Sequence, residues 1–142
     1  MEISFSNKLV KDNEKLPLKL VQTKPIVDYN FRPKKYYSLI MVDHDAPSKD
    51  KPVNKYWLHW MMINIDENGL GDEIMLYEPA YPPEGSGYHR YSITMFEQPY
   101  YIEIRDAIKF VGKSRAKFSP LQFKKMFDLK SLDRIMFLTK RD

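Results

Sequence analysis

A mainly β domain is what this 142-residue sequence predicts, on three observations. Tyr36–Asp43, Trp57–Ile65 and Tyr91–Glu97 are rich in β-branched, aromatic and other apolar residues, either alternating with polar ones or nearly continuous. The segments between them carry turn-forming residues, among them Pro47, Pro52, Gly69, Gly71, Pro82, Pro83, Gly85 and Gly87. Only one stretch, Ser119-Pro-Leu-Gln122, has a helix-start signature: a Ser cap, Pro in the first helical position and Gln three residues after the cap. The length suits one domain, spanning residues 1–142, around one core.

Ile3, Phe5 and Lys8-Leu-Val10 predict a hairpin turning around Asn7. Leu16–Val21 reads as a strand, and Pro25–Tyr29 as another, confined to a sheet edge by Pro25 and Pro33. Tyr36–Asp43 is the strongest strand and belongs at the centre of a sheet. A loop from Ala46 to Lys55 leads into the Trp57–Ile65 strand, on which strict alternation puts Trp57, His59, Met61 and Ile63 on one face. After a turn at Gly69 and Gly71, Ile74–Tyr77 reads as a short strand, as does Tyr100–Ile104; Asp106–Arg115 is ambiguous. A helix from Ser119 to about Phe127, with Phe123 and Phe127 on one face, precedes a last strand over Leu132–Thr139.

The composition excludes several classes. With 43% hydrophobic residues, 10 Tyr and 8 Phe, the chain is globular rather than disordered. It has no cysteine, which removes disulfides and Cys-ligated zinc. No apolar run reaches the roughly 20 residues of a spanning helix, and Met1-Glu-Ile-Ser-Phe5 is not a signal peptide, so the expectation is a soluble, cytoplasmic protein. The net charge of +4 is uneven: residues 1–104 hold 12 basic and 15 acidic side chains, residues 105–142 hold 11 and 4. That basic third could touch an anionic membrane peripherally or meet an acidic protein face. Its lysines are spread out rather than clustered in a tract, and no nucleic-acid partner is expected.

The functional signal centres on Tyr77–Tyr91, a proline-broken, glycine-bearing loop running into a strand. Counting back in twos from Met95 and Ile93 puts Tyr91 and His89 on the core face; the same parity from Leu39 and Met41 puts Asp43 there, beside Asp45, and His59 faces inward on its own strand. A carboxylate beside an imidazole favours a ring N–H aimed into the pocket, and Gly85 and Gly87 let backbone amides approach a ligand. The sum is a donor-rich cup for a phosphate or carboxylate. Taken alone, each inward histidine is more often a satisfied core residue. No ligand pair has the spacing of a metal motif, Ser86 does not sit in Gly-x-Ser-x-Gly, and no cofactor is expected.

Asp43-His-Asp-Ala-Pro-Ser48, Trp57-Leu-His59 with Asn64 downstream, and Pro82-Pro-Glu-Gly-Ser-Gly-Tyr-His-Arg-Tyr91 resemble, in order and spacing, the signature blocks of the phosphatidylethanolamine-binding protein family, which includes the Raf kinase inhibitor proteins. A weaker likeness runs from Ile3 to Lys125. The resemblance implies an antiparallel Greek-key β-sandwich with one or two short helices, and an anion pocket at the equivalents of Asp43, Asp45, His59, His89 and Tyr91. It implies a binding protein for phosphorylated head groups or phosphorylated or acidic protein segments, a regulator of signalling, its partner a kinase in some members, rather than an enzyme. Three departures stand out. His44 replaces a usual proline; Tyr81 replaces a small residue, commonly glycine, at the pocket mouth; and the chain ends after its last strand, without the C-terminal helix of animal members. The resemblance implies a reduced form, of a kind found in viruses with compact AT-rich genomes. A scaffold with an occluded, vestigial pocket is the alternative these departures favour.

Overall fold

A computed structural model describes all residues 1–142. Nine strands form two sheets. Strands β1 (Glu2–Phe5), β2 (Lys8–Leu9) and β4 (Ile26–Asp28) make a small antiparallel sheet in the order β2-β1-β4. The large sheet has the order β3-β9-β8-β5-β6-β7, from β3 (Glu14–Lys15), β5 (Tyr36–Asp43), β6 (Trp57–Ile65), β7 (Asp72–Met75), β8 (His89–Gln98) and β9 (Lys130–Thr139). After the β5-β6-β7 meander, β8 returns to lie beside β5, which is a Greek key. All pairings are antiparallel except β3 with β9, which is parallel.

The large sheet is buried on both faces. Toward the small sheet, Leu39 and Met41 of β5 and Ile93 and Met95 of β8 pack with Ile3, Phe5, Val21 and Phe137. On the other face, Ile40, Val42, Met61 and Ile63 pack against helices α1 (Ile104–Val111) and α2 (Pro120–Met126), through Ala107, Phe123 and Phe127. Two-sided burial explains why β5 reads as a nearly unbroken apolar run, and β5 is central as predicted. The hairpin turn at Ser6 and Asn7 has both residues at positive φ, and β4 lies at an edge. Helix α2 starts as the sequence specified, with Ser119 Oγ accepting from the Gln122 N–H.

Several expectations are corrected. Leu16–Val21 is not a strand: after Pro17 the chain turns into a 3-10 helix over Leu18–Gln22 that buries Val21. Tyr100–Ile104 is not a strand either, because α1 begins at Ile104 and buries Ala107, with Phe110 and Val111 packed beside it. Strand β7 starts two residues earlier than read, since Gly71 passes so close to β6 that a Cβ would meet the Ile63 carbonyl oxygen at 2.6 Å. The predicted common face of Trp57, His59, Met61 and Ile63 is broken by a β-bulge. Met41 pairs with Trp60 but Val42 with Leu58, leaving His59 the extra residue, so Met61 and Ile63 point to the helices while His59 stays on the other side against Tyr91.

Candidate functional site

One end of the large sheet gathers the chemistry. Because β5 runs antiparallel to both β6 and β8, its last residue, Asp43, meets Trp57 at the start of β6 and Tyr91 near the start of β8. The loop bearing Glu78, Pro79, Tyr81 and Pro82 closes over these ends, and a cavity of about 210 Å³ remains. Asp43, His59, Tyr81, His89 and Tyr91 line it, together with Asn54, Trp57 and Glu78.

The lining is held by internal hydrogen bonds. His89 is fully buried, and its Nδ1 lies 2.8 Å from Asp43 Oδ2, while Asp43 Oδ1 accepts from the Asp45 N–H. Ser86 Oγ donates to the Pro83 carbonyl at 2.6 Å and lies 2.9 Å from His89 Nε2. With its own proton committed to Pro83, that hydroxyl is left as an acceptor for His89 Nε2, so both ring nitrogens of His89 have protein partners. His59 differs. Its Nδ1–H donates to the Glu78 carbonyl at 2.7 Å, and its Nε2 has no protein partner on the cavity side. Burial pushes its pKa below the ordinary imidazole value, against the pull of the Glu78 carbonyl and the Asp43 and Glu78 charges. Burial, reinforced by the Asp43 carboxylate, raises the Tyr91 hydroxyl well above the usual range, so it is a neutral donor or acceptor.

The charged groups of this lining are paired. Glu78 accepts from Trp57 Nε1 and pairs with Arg115 Nε at 3.1 Å. Arg115 also donates to the carbonyls of Leu58, His59 and Leu76, tying the bulged strand to the loop. Tyr81 is 62% exposed at the rim, and the Arg141 guanidinium lies over its ring, 4.3 Å from the centroid. Arg141 Nε is buried without a hydrogen-bond partner, and no carboxylate pairs with this side chain.

Two predicted features are corrected. Asp45 does not line the cavity: it is buried behind it, accepting the Arg90 N–H and two guanidinium hydrogen bonds at 2.8 and 3.0 Å. Burial alone would raise its pKa, but the Arg90 hydrogen bonds and charge outweigh that and hold it below the usual carboxylate range. Gly85 and Gly87 do not line the cavity either. Both have positive φ and open space beside them, so they shape the turn that brings Ser86 to His89 instead of presenting amides to a ligand. The donor-rich cup is therefore narrower than predicted: Ser86 and Asp43 take the two ring nitrogens of His89, and no metal-ligating cluster is formed.

Sequence reasoning missed Ser86, Glu78, Arg115 and Arg141. The signal for Ser86 was present, three residues before His89 within Gly-Ser-Gly. Nothing local marks Arg141, which does not line the cavity; the β8–β9 register, with His89 opposite Thr139, brings it near enough to lie over Tyr81.

Comparison with known proteins agrees with this fold. The family model described as phosphatidylethanolamine-binding protein matches residues 6–138. The chain is 33% identical over 134 residues to Protein BROTHER of FT and TFL 1 of Arabidopsis thaliana, covering 91% of this chain and 72% of that protein. It is 34% identical over 104 residues to Protein TWIN SISTER of FT, also of Arabidopsis thaliana, covering 69% of this chain but 57% of that protein. Among solved structures, a carboxypeptidase Y inhibitor complexed with its cognate proteinase superposes with a TM-score of 0.83 at 19% identity, over 99% of this chain and 82% of that one. The phosphatidylethanolamine-binding protein from Plasmodium vivax gives 0.76 at 21%, over 99% and 84%.

Proposed function

The chain belongs to the phosphatidylethanolamine-binding protein family, and from that premise we propose that its cavity binds the phosphate-type anion of a phosphorylated ligand and that the protein regulates signalling by binding other proteins. The observation that carries this reading is the buried His59, whose Nε2 has no protein partner and opens on the cavity. The Arg141 guanidinium, which pairs with no carboxylate and does not itself line the cavity, lies against the ring of the lining residue Tyr81 and adds positive charge nearby. A volume of about 210 Å³ lies below the roughly 300–1,000 Å³ of drug-sized sites, which favours a head-group-sized anion over a whole lipid. A phosphorylated side chain or acidic segment of a partner protein meets that limit without requiring cover for acyl chains. The role is binding rather than catalysis: no side chain pair in the cavity couples a free nucleophile to a free base, since Ser86 Oγ accepts from His89 and does not donate to it.

A second reading has its own support. The Ser86 hydroxyl already satisfies His89 Nε2, as it would in a scaffold that keeps the fold and uses its surface for protein contacts while the pocket stays vestigial. Calorimetric titration with inorganic phosphate, phosphoethanolamine and a phosphoserine peptide separates the two. Saturable binding that weakens about tenfold or more in His59→Gln supports the anion pocket. Absence of binding by all three anions overturns it in favour of the second reading.

A further inference from the structure

The pleat of β5 and β8 that turns Asp43 and Tyr91 toward the cavity turns their neighbours the opposite way, into a second concavity on the helix side of the sheet. Its volume is about 430 Å³, within the range of sites for drug-sized ligands. The floor is apolar, formed by the buried Ile40, Val42 and Phe96. His44 and Tyr56 form one wall. Their rings meet edge to face at 5.0 Å, and His44 Nε2 lies 2.7 Å from Ser92 Oγ, which fixes the imidazole upright beside the groove. Leu121, 59% exposed, stands on the opposite rim.

The charges are one-sided. Lys124 of α2 and Arg134 of β9 border the groove, and neither side chain pairs with a carboxylate anywhere in the protein. No Asp or Glu lines the concavity, whereas hydroxyls of Thr94, Ser119 and Ser131 do. Two unpaired cations with hydroxyl donors above an apolar floor are complementary to an anion on an apolar body, and to neither a cation nor a neutral hydrocarbon. Burial, with the Arg90 and Arg134 charges and against the pull of Asp45 and Asp43, holds His44 in its neutral form.

From this placement we infer that the groove between β8 and α2 is a second ligand site, for a small amphipathic organic anion with a carboxylate, sulfonate or phosphate held by Lys124 and Arg134 and an apolar body lying over Ile40, Val42 and Phe96. It shares no lining residue with the Asp43–His59–His89 cavity, and the two sites are separated by the thickness of one sheet. Binding there is independent of whether the first cavity takes phosphate.

The test uses naphthalene-2-sulfonate as probe, with naphthalene-2-sulfonamide as its uncharged counterpart, followed by site-resolved amide NMR on the intact chain. The expected result is saturable shifts at Ser92, Thr94, Leu121 and Ser131. Binding should weaken at least tenfold in the double variant Lys124→Gln, Arg134→Gln and stay unchanged in His59→Gln. Both positions are on the surface side of the groove, and a matching urea midpoint for the double variant establishes that the fold is intact. Shifts confined to the first cavity, equal binding of the sulfonamide, or no saturation by the sulfonate in the millimolar range would each overturn the inference.

Discussion

His89 Nδ1 donates to Asp43 Oδ2 across 2.8 Å, joining the start of β8 to the end of β5 with the imidazole wholly out of solvent. The pair is set by the register that places Asp43 opposite Tyr91, and it is completed by Ser86, which occupies the other ring nitrogen. The proposed anion site is thus a prebuilt frame in which the ring nitrogens of His89 are already taken.

Ser86→Ala should separate stability from affinity. Removing the hydroxyl leaves the His89 Nε2–H without an acceptor, which should lower stability by about 1–3 kcal/mol. The freed N–H should meanwhile favour phosphate by about 0.5–1.5 kcal/mol, roughly two- to tenfold in affinity. Urea denaturation and calorimetry on the same preparation check the two signs; a fall in both stability and affinity would show that the turn only shapes the cavity.

Anion binding should take up a proton at His59. Burial holds its pKa low in the free protein, so the ring is neutral near pH 7, whereas an anion against Nε2 favours the charged form. The pKa therefore rises on binding, and affinity should increase as the pH falls from 8 toward 6. Sulfate, which does not titrate in this window, is the suitable probe. Calorimetry in buffers of differing ionisation heat should report uptake of up to one proton, abolished by His59→Gln.

Stability should fall on the acid side because of His44. Burial, with the Arg90 and Arg134 charges, lowers its pKa to about 4 from an ordinary value of 6.5. The unfolded chain therefore binds this proton first. The contribution is fully present above pH 6.5 and is lost progressively as the pH falls through 4. Urea midpoints measured at pH 7.5, 6, 5 and 4 should decline more steeply in the wild type than in His44→Gln.

At the far end of the sheet, Asn64 and Gln98 should matter for folding and not for binding. Asn64 Oδ1 accepts from Gln98 Nε2 and the Ile102 N–H, Asn64 Nδ2 donates to Asp72 and the Ile102 carbonyl, and Gln98 Oε1 accepts from Ser38 and the Asn64 N–H. Asn64→Ala strands several buried groups and should cost about 3 kcal/mol. Anion affinity should stay within about twofold of the wild type, since these residues do not line the cavity.

The sequence by itself determined the strands whose burial is written into local pattern. Residues Tyr36–Asp43 could only be a central strand, because both faces are apolar, and Ser119-Pro-Leu-Gln122 could only open a helix, because its cap is made within three residues. Strand parity also brought Asp43, His89 and Tyr91 to one side, since alternation is a property of the chain alone. Tertiary structure decided everything that depends on a distant partner. Alternation on β6 fails at His59 because the bulge is defined by β5, not by β6. Helix α1 reads as ambiguous in the sequence although Ile104, Ala107, Ile108 and Val111 follow helical spacing; which part of that apolar face is covered, Ala107 rather than Ile104 and Ile108, was decided by the sheet it packs on. Asp45 looked like a ligand residue until Arg90, 45 positions away, claimed both carboxylate oxygens. Parity fixes which side a side chain faces; which of its hydrogen-bonding atoms stay free depends on partners that only the folded chain supplies, and that is why His59 Nε2 is left without a protein partner while both ring nitrogens of His89 are taken.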